Sequence, residues 1–161
     1  MQIAEFIAPE RVVRQPKATS KKRALEVVSG LIAGAQANLL ETEIFDCLLA
    51  RERLGSTGIG HGVAIPHGRL KSLTQPVAAF AVLEKGVDFD AMDGEPVDLV
   101  CALVVPLEST EEHLQILAAL AALFSDEHLR EKMRRAASAE EIYSLLTGEE
   151  VTRHRQAAAP S

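Results

Sequence analysis

A glycine-rich stretch with two histidines lies near the middle of the chain. Residues 51–70 read RERLGSTGIGHGVAIPHGRL. His67 follows a proline, which restricts the backbone before it, and precedes a glycine, which leaves room beside the ring. A neutral imidazole is available as a nucleophile near neutral pH because its unperturbed pKa is about 6.5. His67 is therefore the first candidate for catalysis, with an ordinary surface histidine as the alternative.

The backbone of this stretch could bind an anion. Gly58, Gly60 and Gly62 allow several N–H groups to converge on a negative charge, and the hydroxyls of Ser56 and Thr57 could add to them. No Lys-Ser or Lys-Thr pair follows the last glycine, and the glycine spacing does not complete a dinucleotide fingerprint. The pattern predicts no ATP or NAD site. A plain glycine-rich turn that leads into a strand remains the alternative.

Two further residues could act on an anion held near His67. Arg51 lies near the end of a predicted helix, and its planar guanidinium could hold a phosphoryl group through two parallel hydrogen bonds. His113 lies in the first turn of another predicted helix, where a donor is well placed for an anion. A solvated cation at a helix end and a surface histidine are the alternatives.

Metal and serine chemistry have weak support. His61, His67 and His113 could bind a metal if the fold brought them together, but the spacing lacks the helical His-x-x-x-His pattern. Ser56 has no Gly-x-Ser-x-Gly elbow around it. We predict neither a metal nor an organic cofactor.

Composition limits the classes of function. The chain has 161 residues, enough for one domain, with 47% hydrophobic and 25% charged residues. A net charge of −6 and the absence of basic clusters interleaved with aromatics argue against binding to nucleic acid. No apolar run reaches bilayer length, and no secretory signal is visible. Cys47 and Cys101 lie in apolar contexts and are predicted to be buried thiols, which favours the cytoplasm.

Helical spacing and caps predict two helices before the glycine-rich stretch. Apolar residues recur at helical spacing over Lys21–Ala33, with Ser20 before them and Gly34 after them. Asn38 with Glu41 resembles a capping pair for the second helix, for which Gly55 is the terminator. This second helix places Arg51 next to the glycine-rich stretch.

Strands and further helices follow. Val77–Leu83 and Leu99–Val105 are apolar runs rich in β-formers, and the turn dipeptide Asp93-Gly94 lies between them. Ser109 with Glu112, and Ser138 with Glu141, are capping boxes for two later helices that end near Phe124 and Gly148. The order of helices, strands and helices predicts an α/β domain over residues 1–148, followed by a flexible tail over 149–161.

Several of these segments together resemble a known family. The motifs Thr57-Gly58-Ile59-Gly60 and Ile65-Pro66-His67 are similar to the active-site region of phosphotransferase-system IIA domains of the fructose/mannitol type, most closely the nitrogen-regulatory IIA proteins. The segments at 20–22, 87–94, 104–106 and 113–114 extend the resemblance over about Ile3–Thr147. The resemblance implies a single α/β domain whose mixed, partly parallel sheet is flanked by helices on both sides.

The resemblance also implies roles for four residues. His67 matches the histidine that accepts a phosphoryl group on a ring nitrogen, and Arg51 matches an arginine near that site. His113 matches a second histidine that hydrogen-bonds the phosphoryl oxygens, and Thr57 matches a threonine of the same pocket. No metal is required for this chemistry. His61 departs from the asparagine or small residue that is frequent at its position, and we expect it to point outward.

The implied phosphoryl donor is a small histidine-phosphorylated carrier protein. Two functions follow from the resemblance. In the first, the chain is a regulatory phosphocarrier whose phosphorylation state controls its binding to other proteins. In the second, it is a sugar-specific IIA component that passes phosphate to a IIB domain. The likeness of the loop and first helix to nitrogen-regulatory proteins favours the first. Ile59, Val63, Ile65 and Leu70 are the expected apolar contact surface for a partner.

Overall fold

The structure, a computed structural model, describes residues 2–148. The predicted flexible tail, 149–161, lies outside the described residues. Within 2–148 the α-helices are α1 (Lys21–Ala33), α2 (Glu41–Leu54), α3 (Thr110–Phe124), α4 (Glu127–Arg135) and α5 (Ala139–Thr147). The strands are β1 (Val12–Arg14), β2 (Gly58–Gly60), β3 (Val63–Ala64), β4 (His67–Leu70), β5 (Val77–Val87) and β6 (Val97–Pro106). None of the described helices combines the length and the apolar character that crossing a bilayer needs.

The six strands form one mixed sheet. The long strands β5 and β6 pair antiparallel at its centre. On one side β1 runs parallel to β5, and on the other side β3 and β4 both run parallel to β6. The strand β2 adds to β3 in the antiparallel direction. The expected mixed, partly parallel sheet is confirmed.

Helices cover both faces of this sheet. Side chains of β5 alternate between two separate cores: Ala79 and Ala81 face α1 and α2, whereas Ala78 and Phe80 face α3, α4 and α5. Because both faces are buried, the central strands are nearly continuous apolar runs. The expected helices on both sides of the sheet are confirmed.

Two predicted helix caps are confirmed. The Ser20 hydroxyl accepts a hydrogen bond from the backbone N–H of Arg23 at 3.1 Å and begins α1. The Ser138 hydroxyl accepts from the N–H of Glu141 at the same distance and begins α5. Gly148 then ends α5 in the left-handed conformation, with φ of 77°.

Two other predicted caps are wrong. The Asn38 amide donates to the carbonyl of Ser72 at 3.2 Å, so it ties a turn to the segment before β5, and Leu40 precedes α2 instead. Ser109 does precede α3, but its side chain makes no capping bond. Its ψ of 55° departs from the extended backbone that directs a cap hydroxyl at the helix N–H groups.

The cysteines are both free. Cys101 is fully buried on β6, as predicted, and burial raises the pKa of its thiol to about 12. Cys47 on α2 is only half-buried, and its thiol donates to the carbonyl of Arg69 on β4 at 3.4 Å. This contact joins α2 to the strand on which His67 lies.

Gly68 allows β4 to pack directly against α2. A Cβ at this position would overlap the Sγ atom of Cys47 and lie 3.6 Å from the Cys47 carbonyl oxygen. We therefore expect Gly68→Ala to lower the free energy of unfolding by about 1 to 3 kcal/mol through overpacking. Denaturant unfolding measures the loss.

The double variant Gly68→Ala/Cys47→Ala is the control for this contact, because it removes the overlapping sulfur. It should be more stable than the sum of the two single effects predicts. Strict additivity of the two substitutions would contradict the proposed overlap.

Candidate functional site

The glycine-rich stretch contains more regular structure than predicted. Instead of one loop it contains β2, β3 and β4, and His67 is the first residue of β4. The carbonyl of Pro66 accepts a hydrogen bond from the N–H of Leu103 at 2.9 Å, and His67 is paired with Leu103 in the sheet. His67 is thus held by a central strand and half-buried.

One ring nitrogen of His67 is already engaged. Its Nδ1 lies 2.7 Å from the carbonyl oxygen of Ile65. Because a carbonyl oxygen can only accept, the ring places its proton on Nδ1 and keeps the lone pair on Nε2. Nε2 is therefore the ring nitrogen that is free to accept a bond.

His113 lies against the ring of His67. The strand β6 ends at Pro106, and the chain then turns into α3, which places His113 in its first turn. The two rings meet edge to face, with centroids 5.2 Å apart and planes at 71°. The Nε2 atom of His113 is buried and has no hydrogen-bond partner among residues 2–148. An unpaired buried nitrogen costs about 1 to 3 kcal/mol, so this atom is suited to bind a ligand.

Arg51 and His67 line one cavity. Arg51 lies in the last turn of α2, where its Nη1 donates to the carbonyl of Gly55 at 2.8 Å. The cavity has a volume of about 310 Å³, and its other walls are the turn before β2 and one face of α3. It is lined by Arg51, Ser56, Thr57, Gly58, Ile59, Ile65, His67, Leu117, Ala118 and Ala121. A guanidinium group and an imidazole ring thus share a space large enough for a small anion.

Thr57 lines the same cavity, but both of its donors are directed elsewhere. Its backbone N–H donates to Oε2 of Glu52 at 2.9 Å, and its hydroxyl donates to Oε1 of the same carboxylate at 2.5 Å. Thr57 therefore has no free donor for an anion in this arrangement. Its predicted role as a direct phosphate ligand stays a prediction.

Glu52 is a residue that the sequence did not single out. It lies on α2 beside Arg51, and its side chain is buried, with 2% of its surface exposed. The sequence signal for it was the Arg-Glu pair at the start of the glycine-rich stretch, which is equally typical of a local ion pair on a helix surface. The carboxylate instead points inward, towards Thr57.

The surroundings of His67 favour the neutral ring. Burial lowers the pKa of His67, and the Arg51 guanidinium lowers it further, whereas the hydrogen bond to Ile65 and the Glu52 carboxylate act in the opposite direction. Burial also lowers the pKa of His113, with smaller contributions from His67 and Arg69. Both shifts favour the neutral ring near pH 7, which is the state that a nucleophilic imidazole requires.

NMR titration of the two rings tests these pKa directions. We expect His67 and His113 to take up protons at lower pH in the folded protein than in the urea-unfolded protein. Because the unfolded state then binds more protons near pH 6, lowering the pH from 7 to 5 should reduce the free energy of unfolding. Midpoints equal to or above those of the unfolded chain would contradict the burial of the two rings.

His61 is not part of this group. It is exposed, and its backbone joins the turn between β2 and β3: the N–H donates to Asp93 at 3.0 Å and the carbonyl accepts from Arg134 at 2.7 Å. It lines a separate polar depression together with Asp98 and Arg134. The three histidines considered for a metal are therefore not brought together, and residues 2–148 contain no group of three or more potential ligands in metal-binding proximity.

The predicted apolar contact surface needs correction. Ile59 is exposed, with 47% of its surface accessible, but Val63 and Ile65 are buried in the sheet and Leu70 is half-buried. The reason is that β3 and β4 pair with β6, which turns these side chains into the two cores. Two exposed leucines are Leu107, which follows β6, and Leu114, which follows His113 on α3.

Comparisons with known proteins show the family to which the chain belongs. Residues 5–148 match the family model described as "Phosphoenolpyruvate-dependent sugar phosphotransferase system, EIIA 2". A nitrogen regulatory protein of Pseudomonas aeruginosa is 41% identical over 146 residues, which is 91% of this chain and 95% of the relative. A fructose-specific EIIA component of Haloferax volcanii is 37% identical over 134 residues, with 83% of this chain and 86% of the relative covered.

Solved structures show the same fold. The nitrogen regulatory protein IIA-Ntr of Neisseria meningitidis superposes with a TM-score of 0.84 at 42% identity, covering 90% of this chain and 99% of that one. The mannitol IIA of Escherichia coli gives a TM-score of 0.72 at 23% identity, covering 86% and 97%, which supports the fold alone. On these matches the chain belongs to the EIIA type 2 family of the sugar phosphotransferase system and is similar to the nitrogen regulatory IIA proteins within it.

Proposed function

We propose that the protein is a regulatory phosphocarrier that accepts a phosphoryl group on Nε2 of His67 from a histidine-phosphorylated carrier protein. The main observation in support is the orientation of the His67 ring, whose Nδ1 is bonded to Ile65 while Nε2 keeps its lone pair. We place this reaction in the cytoplasm, where the two free thiols stay reduced.

The proposed transfer is a displacement at phosphorus. The Nε2 lone pair of His67 forms a new P–N bond while the P–N bond of the donor's phosphohistidine breaks, and the bonding electrons return to the donor ring. The Nδ1 proton of His67 stays on the ring, where the Ile65 carbonyl accepts its hydrogen bond. Positioning and charge stabilisation supply most of the rate enhancement in such a step.

Arg51 and His113 are the proposed stabilisers of the transferring group. The Arg51 guanidinium borders the cavity and is always charged, so it attracts the phosphoryl oxygens. The buried Nε2 of His113, when it bears the ring proton, can donate to one of these oxygens and would thereby gain the partner that it lacks.

Exposed apolar residues border the site and suit a protein partner. Ile59 lines the cavity mouth, and Leu114 follows His113 on α3 with 64% of its surface exposed. A phosphoryl group on His67 adds a charge of about −1.5 to −2 at this site. Desolvation of this charge should make any partner that covers His67 distinguish the two phosphorylation states.

Incubation with a phosphorylated carrier protein tests the acceptor role directly. We expect acid-labile phosphorylation of the parent protein, followed by no transfer to sugar in the presence of candidate IIB proteins. Onward transfer to sugar would favour the alternative function, a sugar-specific IIA component that passes phosphate to a IIB domain. The similarity to the Haloferax volcanii fructose-specific EIIA component keeps this alternative open.

Phosphorylation of His67 should change the affinity of the protein for a partner protein. We expect a partner captured from cytosol to bind the unmodified and phosphorylated forms with affinities that differ by about five- to 150-fold, a coupling of about 1 to 3 kcal/mol. Titration of the captured partner against both forms, with His67→Asp as a mimic, measures the difference. Equal affinities for the two forms would leave only phosphate relay and would favour the sugar-transport function.

A further inference from the structure

Glu52 is a buried carboxylate that joins three parts of the molecule. Its Oε1 accepts from the Thr57 hydroxyl, and its Oε2 accepts from the Thr57 N–H. Lys21, at the start of α1, lies with its Nζ 3.1 Å from the same Oε2. Glu52 therefore connects the end of α2, the turn before β2 and the beginning of α1.

The same lysine fixes the loop that packs beside this turn. The Nζ atom of Lys21 also donates to the carbonyl of Phe89 at 3.4 Å and lies 3.5 Å from an Asp90 carboxylate oxygen. Ser56, one residue before Thr57, donates to the Phe89 carbonyl at 2.5 Å. The wall of the cavity that contains Thr57 is thus held from two sides, and Glu52 is the centre of the arrangement.

The charges around His67 oppose one another. From α2 the Arg51 guanidinium disfavours a protonated His67 ring, while the Glu52 carboxylate favours it. From α3 the ring of His113 faces His67. Burying a carboxylate costs free energy unless it is paired and hydrogen-bonded, and here Lys21 and Thr57 provide both. This buried carboxylate is bonded to Thr57, and Thr57 lines the same cavity as Arg51 and His67.

We propose that Glu52 is a positioning residue for phosphoryl transfer at His67. Its carboxylate holds the Thr57 turn in place as a wall of the cavity, and its negative charge opposes the positive charge of Arg51. This inference rests on the proposed function and reassigns Thr57 from a direct phosphate ligand to a part of the support around the cavity. Glu52 acts through Thr57 and through its field, and it does not touch the phosphoryl group.

The charge has a consequence for the phosphorylated protein. When water attacks the phosphorus atom, the P–Nε2 bond breaks, its electrons return to His67 and inorganic phosphate leaves. A ring that keeps its Nδ1 proton is the better leaving group, and a nearby carboxylate favours that protonated ring. The carboxylate also repels the phosphoryl oxygens. Both effects shorten the lifetime of the phosphorylated state and keep the phosphoryl group transferable.

The variant Glu52→Gln isolates the charge, because the amide keeps the shape and an acceptor for Thr57. In the unphosphorylated variant, NMR titration should show His67 protonating at lower pH than in the parent. The phosphorylated variant should survive about two- to tenfold longer, as expected for the loss of one charge interaction across a partly solvated distance. The matched control is Glu43→Gln, which removes an exposed carboxylate from the same helix and should change neither quantity.

The variant Thr57→Val tests how far the Glu52–Thr57 hydrogen bond positions the turn before β2. It removes the bond from the Thr57 hydroxyl to Glu52 and leaves the Glu52 charge in place. We expect phosphoryl transfer from the carrier about tenfold slower than in the parent, with the His67 titration midpoint unchanged. This variant also decides the matter if Glu52→Gln does not fold.

Each outcome has one meaning. If neither the titration midpoint of His67 nor the lifetime of the phosphorylated protein changes in Glu52→Gln, the proposed effect of the Glu52 charge is wrong. If Thr57→Val is phosphorylated at the parent rate, the proposed positioning through the Thr57 hydroxyl is wrong. A parent protein that is never phosphorylated would instead overturn the proposed function, while the titration still reports whether Glu52 acts on His67.

Discussion

Replacing His67 with alanine is expected to abolish phosphorylation by a histidine-phosphorylated carrier protein. His67 is the only histidine among the described residues that line the cavity, and the neighbouring His113 acts as a hydrogen-bond donor in the proposed step. The ring is only half-buried, so the loss of stability should stay within about 1 to 2 kcal/mol. Acid-labile label on the protein, followed over time, measures the effect.

The matched control for this experiment is His61→Ala. His61 lies in the same glycine-rich stretch but lines a different depression, so its replacement should leave labelling intact. Undiminished labelling of His67→Ala, or label mapped to His61, would contradict the assignment of the acceptor.

Replacing Arg51 or His113 should slow phosphoryl transfer without abolishing it. In the proposed reaction each residue offers one donor to the charge that develops on the phosphoryl oxygens, and the loss of such a donor slows a reaction by about one to three orders of magnitude. We expect Arg51→Gln and His113→Ala to fall in this range. Single-turnover rates with saturating phosphorylated carrier separate the chemical step from donor binding.

Arg53→Gln is the control for charge alone. Arg53 lies two residues after Arg51 on α2 and is exposed, so its loss changes net charge by the same amount without changing the cavity wall. Its transfer rate should remain close to that of the parent. Rates within twofold of the parent in both Arg51→Gln and His113→Ala would return these two residues to ordinary surface positions.

Local sequence signals predicted the regular elements well where they were long. The limits of α1 followed from its cap at Ser20 and its apolar spacing, and both ends of α5 followed from Ser138 and Gly148. The two central strands are longer than predicted, because Val87 and Val97 pair beyond the apolar runs. The limits of a helix with strong apolar periodicity and local caps can therefore be predicted from its own residues.

Short elements were not predictable in the same way. The strands β2, β3 and β4 have two to four residues each, too few for a period of two to be visible, and they form only because β6 lies beside β3 and β4. The helix α4 was not predicted, although Asp126 caps it by accepting from the N–H of Leu129. Contacts with residues distant in sequence determine the secondary structure of such short segments.

The candidate site was predictable in part. His67, Arg51 and His113 stood out by residue type and position, and the resemblance added the role of each. The contact between His67 and His113 depends on β6 leading into α3, which places residues 46 positions apart in ring contact. Glu52 could not be found from sequence, because its direction depends on where Thr57 and Lys21 arrive after folding.

The central claim is that His67 accepts the phosphoryl group on Nε2. NMR of the ¹⁵N-labelled, phosphorylated protein measures this directly, since coupling to phosphorus identifies the substituted ring nitrogen. We expect a single phosphohistidine at His67 with phosphorus on Nε2 and the proton retained on Nδ1, opposite the Ile65 carbonyl. Phosphorus on Nδ1 of His67, or on any other residue, would contradict the account.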